Sequence, residues 1–231
     1  MSFRGSGCSL TGSIMASHEI INTLHLYIDR VNDIKVIVFD FDGTLVLSNQ
    51  LKYDAYYKLF PDDDCHRKII TQVLEQIVEE SRFVILEAIV EESRQQCASD
   101  IVMDVAQLAE GYNAIVIEGA KNCPTRINAQ KVVETLKHSH SLYLSSNTPE
   151  IPLNEIVEYR QWAHYFKGVF GYPRVKYNTL QEVLTLENTE PSQVLVVGDG
   201  ESDGNSAAQA GCKFFYVEED ADLEELLSLL I

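Results

Sequence analysis

Short apolar runs alternate with amphipathic segments along most of the chain, and this alternation restricts the fold more than any other feature of the sequence. Continuous apolar runs suit strands that are buried on both faces, whereas apolar residues at three- and four-residue steps suit helices. Strands are predicted over 35–40, 141–144, 168–170, 193–197 and 213–217, and helices over 127–138, 153–164, 177–186, 202–210 and 221–230. The alternation predicts an α/β fold, a Rossmann-like doubly wound parallel sheet with helices on both faces.

About seventy residues lie between the first predicted strand and the alternating half of the chain, which is too long for a loop. Their apolar spacing predicts helices over 51–60, 62–81, 82–97 and 99–110. We therefore expect a core of residues 17–46 and 114–231, with an α-helical cap domain of residues 47–113 inserted into it. Residues 1–16 are expected to form a disordered tail, followed by a short helix over 17–30.

The charge of the chain restricts its partners. Lys and Arg number 18 against 35 Asp and Glu, which gives a formal net charge of −17. A nucleic acid or an anionic membrane surface requires a basic face, so neither is an expected partner. No apolar stretch approaches the length of a membrane span or resembles a signal peptide. A small anionic substrate remains compatible with the charge, since a bound metal can reverse the local sign.

The five cysteines show no CxxC or metal-binding spacing, and their number is odd. An apolar fraction of 45% and a charged fraction of 23% are typical of a soluble globular protein of ordinary size. Such a chain does not need disulfides to complete its core. We therefore expect reduced thiols in a cytoplasmic protein.

The first predicted strand ends in two acids, Asp40 and Asp42, followed by Gly43 and Thr44. Burial of two carboxylates is costly unless a cation lies beside them, and parallel sheets bind ligands beyond the carboxyl ends of their strands. One carboxylate can attack phosphorus while the other exchanges a proton. Gly43 permits a turn whose backbone approaches a phosphate closely. This strand end therefore predicts divalent-metal and phosphoryl chemistry.

Two further strand ends carry polar residues that suit the same chemistry. Ser146 and Asn147 offer hydroxyl, amide and backbone donors to phosphoryl oxygens, although a Ser-Asn pair also caps helices. Asp199 extends an apolar run, and together with Asp203 it offers the hard oxygen ligands that Mg²⁺ prefers. An acid at position 203 also suits the N-terminus of a helix, so its metal role is one of two readings.

A cation is expected at the remaining strand end. Lys176 precedes a predicted helix and can neutralise a phosphate and the paired acids, although a surface role is open to it and Arg174 is a competing cation nearby. Each signal is modest separately. Their order along the chain and their common position at strand ends favour one joint site.

In their order and residue types, these four motifs resemble those of the haloacid dehalogenase-like hydrolase superfamily over about residues 34–217. The predicted helical insert is similar to the caps of phosphoglycolate phosphatase and β-phosphoglucomutase. The resemblance implies that Asp40 is the nucleophile that forms an aspartyl-phosphate and that Asp42 is the general acid and base. It also implies catalytic roles for Ser146 and Lys176, substrate contacts from Gly43, Thr44 and Asn147, and Mg²⁺ ligands from Asp40, the backbone carbonyl of Asp42, Asp199 and Asp203.

The function that the resemblance implies is a Mg²⁺-dependent phosphatase acting on a small phosphorylated metabolite, of phosphoglycolate or sugar phosphate type, as a monomer or homodimer. A phosphomutase is the main alternative, and a phosphonatase would need a Schiff-base lysine such as Lys52 or Lys58. A dehalogenase is disfavoured by Asp42, and a non-catalytic binding protein by the complete acid set. Substrate contacts in the insert have several candidates, each of which also suits packing or solvation: Lys52, Tyr53, Tyr56, Tyr57, Lys58, Arg67 and Lys68.

Overall fold

The computed structural model describes residues 33–77, 80–97 and 104–231. The predicted tail and the helix predicted over 17–30 lie outside these residues. The described part contains five strands, which are β1 (Val36–Phe39), β2 (Ser141–Pro149), β3 (Gly168–Tyr172), β4 (Val194–Gly198) and β5 (Lys213–Tyr216). They form one parallel sheet in the order β3-β2-β1-β4-β5. The predicted α/β fold with a Rossmann-like parallel sheet is therefore confirmed.

Strand β1 lies at the centre of the sheet because its side chains are buried on both faces. Ile37 and Phe39 belong to the larger apolar cluster on one face, whereas Val36 and Val38 belong to a second cluster on the other face. Alternate residues of a strand point to opposite faces, so a fully apolar run needs cover on both. This central position brings the residues that follow Phe39 to the middle of one sheet edge.

Four helices follow β1 in the described residues, and we call them the four-helix segment. They are α1 (Asn49–Tyr57), α2 (Asp64–Gln76), α3 (Arg82–Gln96) and α4 (Val105–Asn122). Side chains of Asp63, Ser81 and Asp104 accept backbone N–H bonds where α2, α3 and α4 begin, which is the usual role of these residues at helix N-termini. The segment has its own apolar cluster, which includes Ile70 and Leu86.

Helix α4 differs from the prediction, because it ends at Asn122 rather than near residue 110. Tyr112 and Val116 pack in the cluster of the four-helix segment, while Ala120 packs in the large cluster beside the sheet. One continuous helix thus contributes to both apolar clusters. The division of the chain into domains at residue 113 remains a prediction.

The remaining helices flank the sheet and are α5 (Ala129–Leu136), α6 (Glu150–Tyr159), α7 (Lys176–Glu187), α8 (Glu201–Ala210) and α9 (Asp222–Leu230). Three boundaries around β2 and α6 were predicted wrongly. Strand β2 continues to Pro149 instead of ending at residue 144, and α6 therefore begins at Glu150 and ends before Gln161, whose φ is 59°. None of the helices within the described ranges is both long and apolar enough to cross a membrane.

The cysteines require a correction. Cys65, near the start of α2, forms a disulfide with Cys97, which directly follows α3, and their Cα atoms lie 6.0 Å apart. The expectation that every cysteine is a reduced thiol is therefore wrong for this pair, whereas Cys123 and Cys212 are free. The linear sequence did not reveal the pair because the antiparallel packing of α2 and α3, rather than a spacing motif, brings the two residues together.

Candidate active site

The C-terminal edge of the sheet gathers most of the predicted site residues. Asp40 directly follows β1, Ser146 lies in the last part of β2, and Asp199 directly follows β4. Lys176 is the first residue of α7, after β3, and Asp203 lies in the first turn of α8. Because all five strands are parallel, their C-terminal ends meet at one edge, and residues far apart in sequence come into contact there.

Lys176 forms a buried bridge between two carboxylates. Its Nζ lies 2.7 Å from Oδ1 of Asp40 and 2.6 Å from Oδ1 of Asp203. The exposed fractions are 5% for Asp40, 7% for Lys176 and 2% for Asp203. Burial alone would lower the pKa of Lys176, but the two carboxylates outweigh burial and raise it. The lysine is therefore held in its charged form at this edge.

Asp40 and Asp203 carry more negative charge than one lysine offsets. Burial raises the pKa of Asp40 to about 7, with further upward contributions from Asp203 and Asp42, although Lys176 opposes the shift. Burial likewise raises the pKa of Asp203. A second cation at this position would favour the ionised form of both carboxylates.

Asp42 has a different environment, since donors surround its carboxylate. Ser48 Oγ donates to Oδ1 at 2.6 Å, and Ser146 Oγ and Thr148 Oγ1 donate to Oδ2 at 3.0 Å and 2.7 Å. Lys52 Nζ of α1 lies 2.8 Å from the same Oδ2. Burial would raise the pKa of Asp42, but Lys52 and the hydroxyl donors lower it to about 2. Asp42 is therefore ionised and fixed in orientation in this structure.

The loop after β1 is shaped by Gly43, whose φ is +82°. Glycine adopts this conformation without strain, and a Cβ at this position would collide with the side chains of Asp199 and Asn49. Thr44 Oγ1 and Asn49 Nδ2 each donate to Asp199 at 3.0 Å. Thr44 thus orients a carboxylate in this structure, and its contact with a substrate remains a prediction.

The acids at this edge fit a divalent cation. One carboxylate oxygen from each of Asp40, Asp199 and Asp203 lies within 4.8 Å of the others. Hard oxygen donors of this kind suit Mg²⁺, which takes few protein ligands and keeps several waters. The carboxylate of Asp42 is occupied by its donors, so its predicted contribution to the metal is restricted to its backbone carbonyl.

Sequence reasoning missed several residues that build the site. Ser48 and Thr148 donate to Asp42, and Lys52 forms an ion pair with it, although Lys52 was predicted only as a substrate contact or Schiff-base lysine. The sequence feature that could have indicated Thr148 as a site residue was the Thr-Pro step after Asn147, because β2 continues through Thr148 to Pro149. The position of Ser48, one residue before α1, gave no comparable signal.

Arg126 is a further buried residue that the sequence did not indicate. Its Nε and Nη2 donate to the carbonyl of Gly43 at 3.1 Å and 2.5 Å, and its Nη1 donates to the carbonyl of Glu218 at 3.0 Å. The residue is 7% exposed. Arg126 therefore ties the loop that carries Asp42 and Thr44 to the segment after β5.

An open cavity of about 410 Å³ adjoins the site on the side of the four-helix segment. Lys52, Thr148 and Asn147 line it, so it reaches Asp42 through two of the donors that hold this residue. Asn147 is exposed and faces this cavity rather than the buried acids. Of the other predicted contacts in the insert, Tyr56 lines the cavity, while Tyr53, Tyr57, Lys58, Arg67 and Lys68 do not.

The sequence model of the family described as "Haloacid dehalogenase-like hydrolase" matches residues 37–217. The chain therefore belongs to this family. The match includes both acids after β1, the polar end of β2, Lys176 and both acids of the β4–α8 turn. A search of curated proteins finds no match.

Solved structures with the same fold include a candidate β-phosphoglucomutase from Thermotoga maritima, with 16% identity and a TM-score of 0.67 over 86% of this chain and 100% of that one. The candidate hydrolase YfnB from Bacillus subtilis, bound to magnesium, has 15% identity and a TM-score of 0.67 over 85% and 98%. A predicted phosphoglycolate phosphatase from Haemophilus somnus has 22% identity and a TM-score of 0.63 over 83% and 92%. At these identities the likeness shows the fold alone.

Proposed function

We propose that the protein is a Mg²⁺-dependent phosphatase that hydrolyses a small phosphorylated metabolite through an aspartyl-phosphate on Asp40. The observation that carries the proposal is the arrangement of the buried Asp40, Lys176 and Asp203 with the half-buried Asp199 at one sheet edge, beside an oriented Asp42. Family membership agrees with a hydrolase. Phosphoryl transfer depends mainly on positioning and charge neutralisation, and this edge offers both.

In the first step, an Oδ of Asp40 attacks phosphorus while the ester bond to the leaving oxygen breaks. That oxygen receives a proton from Asp42, which has taken this proton from solvent after one of its hydrogen-bond donors leaves. In the second step, a water attacks phosphorus and gives a proton to Asp42, which releases phosphate and restores Asp40. Lys176 stabilises the charge on Asp40 and the phosphoryl oxygens throughout. The buried position of Lys176 keeps this charge close to the reacting atoms.

Asp40, Asp199 and Asp203, with the carbonyl of Asp42, would hold the metal. When bound, Mg²⁺ supplies charge that offsets the repulsion between the anionic nucleophile and the anionic phosphate. The structure of YfnB bound to magnesium, which shares the fold, is consistent with this choice of ion. The fit of the ion rests on the three clustered carboxylates.

The donors around Asp42 bear on its role as a general acid. An Asp42 that accepts four hydrogen bonds is ionised in the free enzyme, so at least one donor must leave before the residue can transfer a proton. Lys52 is the donor that belongs to the four-helix segment and lines the cavity. We infer that an incoming phosphate draws Lys52 away from Asp42. An amine held in this ion pair is also a poor candidate for the Schiff base of a phosphonatase.

The substrate, oligomeric state and cellular location belong to this proposal. A phosphoglycolate-type acid or a sugar phosphate suits a cavity of this size and polarity, and the acid excess of the chain argues against nucleic acid and membrane partners. The proposal places the enzyme in the cytoplasm as a monomer or homodimer. The cytoplasmic location was predicted from reduced thiols, whereas Cys65 and Cys97 form a disulfide.

The experiment is phosphate release from p-nitrophenyl phosphate and a panel of phosphorylated metabolites, with and without Mg²⁺. We expect Mg²⁺-dependent release by the wild type and less than about one hundredth of this rate for Asp40→Asn, since loss of one transition-state group typically costs 10²–10³. Asp62→Asn, an exposed acid of the four-helix segment, is the matched control. A phosphomutase would instead convert a sugar phosphate to its isomer without releasing phosphate.

A further inference from the structure

The cavity beside Asp42 is the space in which a leaving group must lie. Thr148 and Lys52, which both contact Asp42, form part of its wall, and Asp42 is the residue proposed to protonate the leaving oxygen. Asp40 does not line the cavity. A bound substrate would therefore place its phosphoryl group at the sheet edge and the rest of its atoms in this cavity.

Arg82, the first residue of α3, lines the cavity. Its lack of an acidic partner among the described residues is unusual in so acidic a chain. Among the residues that the structure describes, no carboxylate lies within ion-pair distance of its guanidinium group, although Glu80 also borders the cavity. Nη1 donates to Oδ1 of Asn113 on α4. The guanidinium carbon lies 5.7 Å from the ring centroid of Phe83.

These contacts hold Arg82 in place without neutralising its charge. An amide acceptor uses one of the five N–H donors of a guanidinium group, and the planar fork that remains matches a carboxylate or a phosphate. The chain has 35 acids and 18 Lys and Arg residues, so a half-buried arginine at a cavity wall with only neutral described partners points to an anion from outside the chain.

We propose that Arg82 binds a second negatively charged group, so that the substrate is a phosphomonoester whose leaving group also carries a carboxylate or a second phosphate. This inference rests on the proposed phosphatase function and narrows its substrate class. The sheet edge would bind the scissile phosphate and the four-helix segment the second anion. Phe83 and Tyr172, which are 51% and 60% exposed, offer apolar surface to the atoms between the two charged groups.

The test uses substrate pairs that differ only in the second charge. One pair is 6-phosphogluconate and sorbitol 6-phosphate, and the other is fructose 1,6-bisphosphate and fructose 6-phosphate. Phosphate release gives kcat/KM for each, for the wild type, Arg82→Gln, Arg82→Lys and Arg94→Gln. Arg94 is a matched control because it lies on the same helix, is exposed and does not line the cavity. Thermal unfolding of each variant checks that it is folded.

We expect the wild type to prefer the doubly anionic member of at least one pair, and Arg82→Gln to reduce that preference by about 10- to 100-fold, the size of a lost charge-assisted hydrogen bond. Arg82→Lys should retain part of the preference and Arg94→Gln all of it. The responding pair shows whether the second group is a carboxylate or a phosphate.

Two results would overturn the inference, and they are distinguishable. If phosphate is released but Arg82→Gln changes both members of each pair equally, Arg82 does not bind a second anion, while the phosphatase proposal stands. If none of these substrates nor p-nitrophenyl phosphate yields phosphate, the phosphatase proposal itself fails and this inference fails with it.

Discussion

The C-terminal edge of the sheet and the four-helix segment both contribute charged residues to the candidate site, but these residues differ in their burial and in the number of partners that hold them. At the sheet edge, Lys176 is 7% exposed and bonded to two buried carboxylates. In the four-helix segment, the side chain of Lys52 is 29% exposed and Arg82 is half-buried beside an open cavity. Buried groups with several fixed partners are preorganised, whereas half-exposed ones can change partners when a ligand arrives.

Under the proposed function, this difference places the chemical step at the sheet edge and the recognition of the substrate in the four-helix segment. The sheet edge would hold the groups that any phosphate monoester needs, namely the proposed nucleophile, the lysine and the proposed metal ligands. The four-helix segment would hold the groups that contact the remainder of the substrate. Changes at the edge should therefore abolish turnover, and changes in the segment should alter its rate or selectivity.

Replacement of Lys176 should have the largest effect. Lys176→Met leaves Asp40 and Asp203 without their buried cation, so we expect phosphate release to fall by at least about 10²–10³. Loss of one partner of a buried ion pair costs about 3–5 kcal/mol of stability, and Mg²⁺ should restore part of it by binding the uncompensated acids. Phosphate assays and thermal unfolding with and without Mg²⁺ measure both effects.

The exposed Lys131→Met is the control for that variant. If Lys176→Met kept wild-type turnover, the sheet edge would not depend on its buried cation and the contrast between the two regions would be lost.

Asp199→Asn should weaken the metal site next most strongly. Asp199 is oriented by Thr44 and Asn49, and its substitution removes one charge from the three clustered acids. We expect the Mg²⁺ concentration for half-maximal activity to rise by about 10- to 100-fold. Titration of the rate with Mg²⁺ measures the change, with Asp62→Asn in parallel. An unchanged Mg²⁺ requirement would remove Asp199 from the metal site.

Lys52→Met should have an intermediate effect, because it acts from the four-helix segment. Loss of the cation that is proposed to move from Asp42 to the incoming phosphate should lower kcat by about tenfold, which is less than the roughly 10²–10⁴ that a group transferring the proton itself contributes. The Mg²⁺ requirement should stay unchanged, since Lys52 contacts none of the three clustered acids. Lys58→Met, on the C-terminal side of the same helix and outside the cavity, is the control. A shift in Mg²⁺ affinity would contradict the separation of the two regions.

The smallest effect is expected at Glu187, which lies away from both regions. Ser141, Tyr143 and Lys167 donate to its carboxylate. Burial opposes ionisation, but these donors outweigh it and lower the pKa of Glu187. A lowered folded pKa stabilises the protein above the unfolded value, and this contribution is lost as the pH falls through the folded pKa.

Glu187→Gln should therefore cost about 1 kcal/mol at neutral pH, and the difference from the wild type should shrink in acid. Urea unfolding at neutral and acid pH measures this change. Phosphate release should remain at the wild-type level. A loss of activity would show that the sheet edge is sensitive to distant strands.

The buried edge was largely predictable from the sequence because its residues are marked locally. Asp40 and Asp199 each end an apolar run, and a parallel sheet brings such ends together whatever their separation in sequence. Lys176 and Asp40 are 136 positions apart, yet the topology alone predicts that they lie close. The burial that shifts their pKa values follows from the same placement.

The four-helix segment was less predictable because its contacts depend on packing between helices. The sequence does not mark which face of α1 meets the sheet edge, so the pairing of Lys52 with Asp42 was not foreseen. Arg82 gave no signal, since its proposed role rests on a tertiary observation, namely that no described carboxylate lies within ion-pair distance of its guanidinium group. The end of α4 at Asn122 and the disulfide of Cys65 with Cys97 likewise depend on tertiary contacts rather than local pattern.

The most direct test of the central claim is to trap the covalent intermediate. The enzyme is mixed with Mg²⁺ and a phosphorylated substrate that it turns over, quenched in acid within a turnover, digested and analysed by mass spectrometry. We predict one phosphoryl group on the peptide that contains Asp40, and none in Asp40→Asn. A phosphoryl group on another residue, or full turnover by Asp40→Asn, would contradict the assignment of Asp40 as the nucleophile.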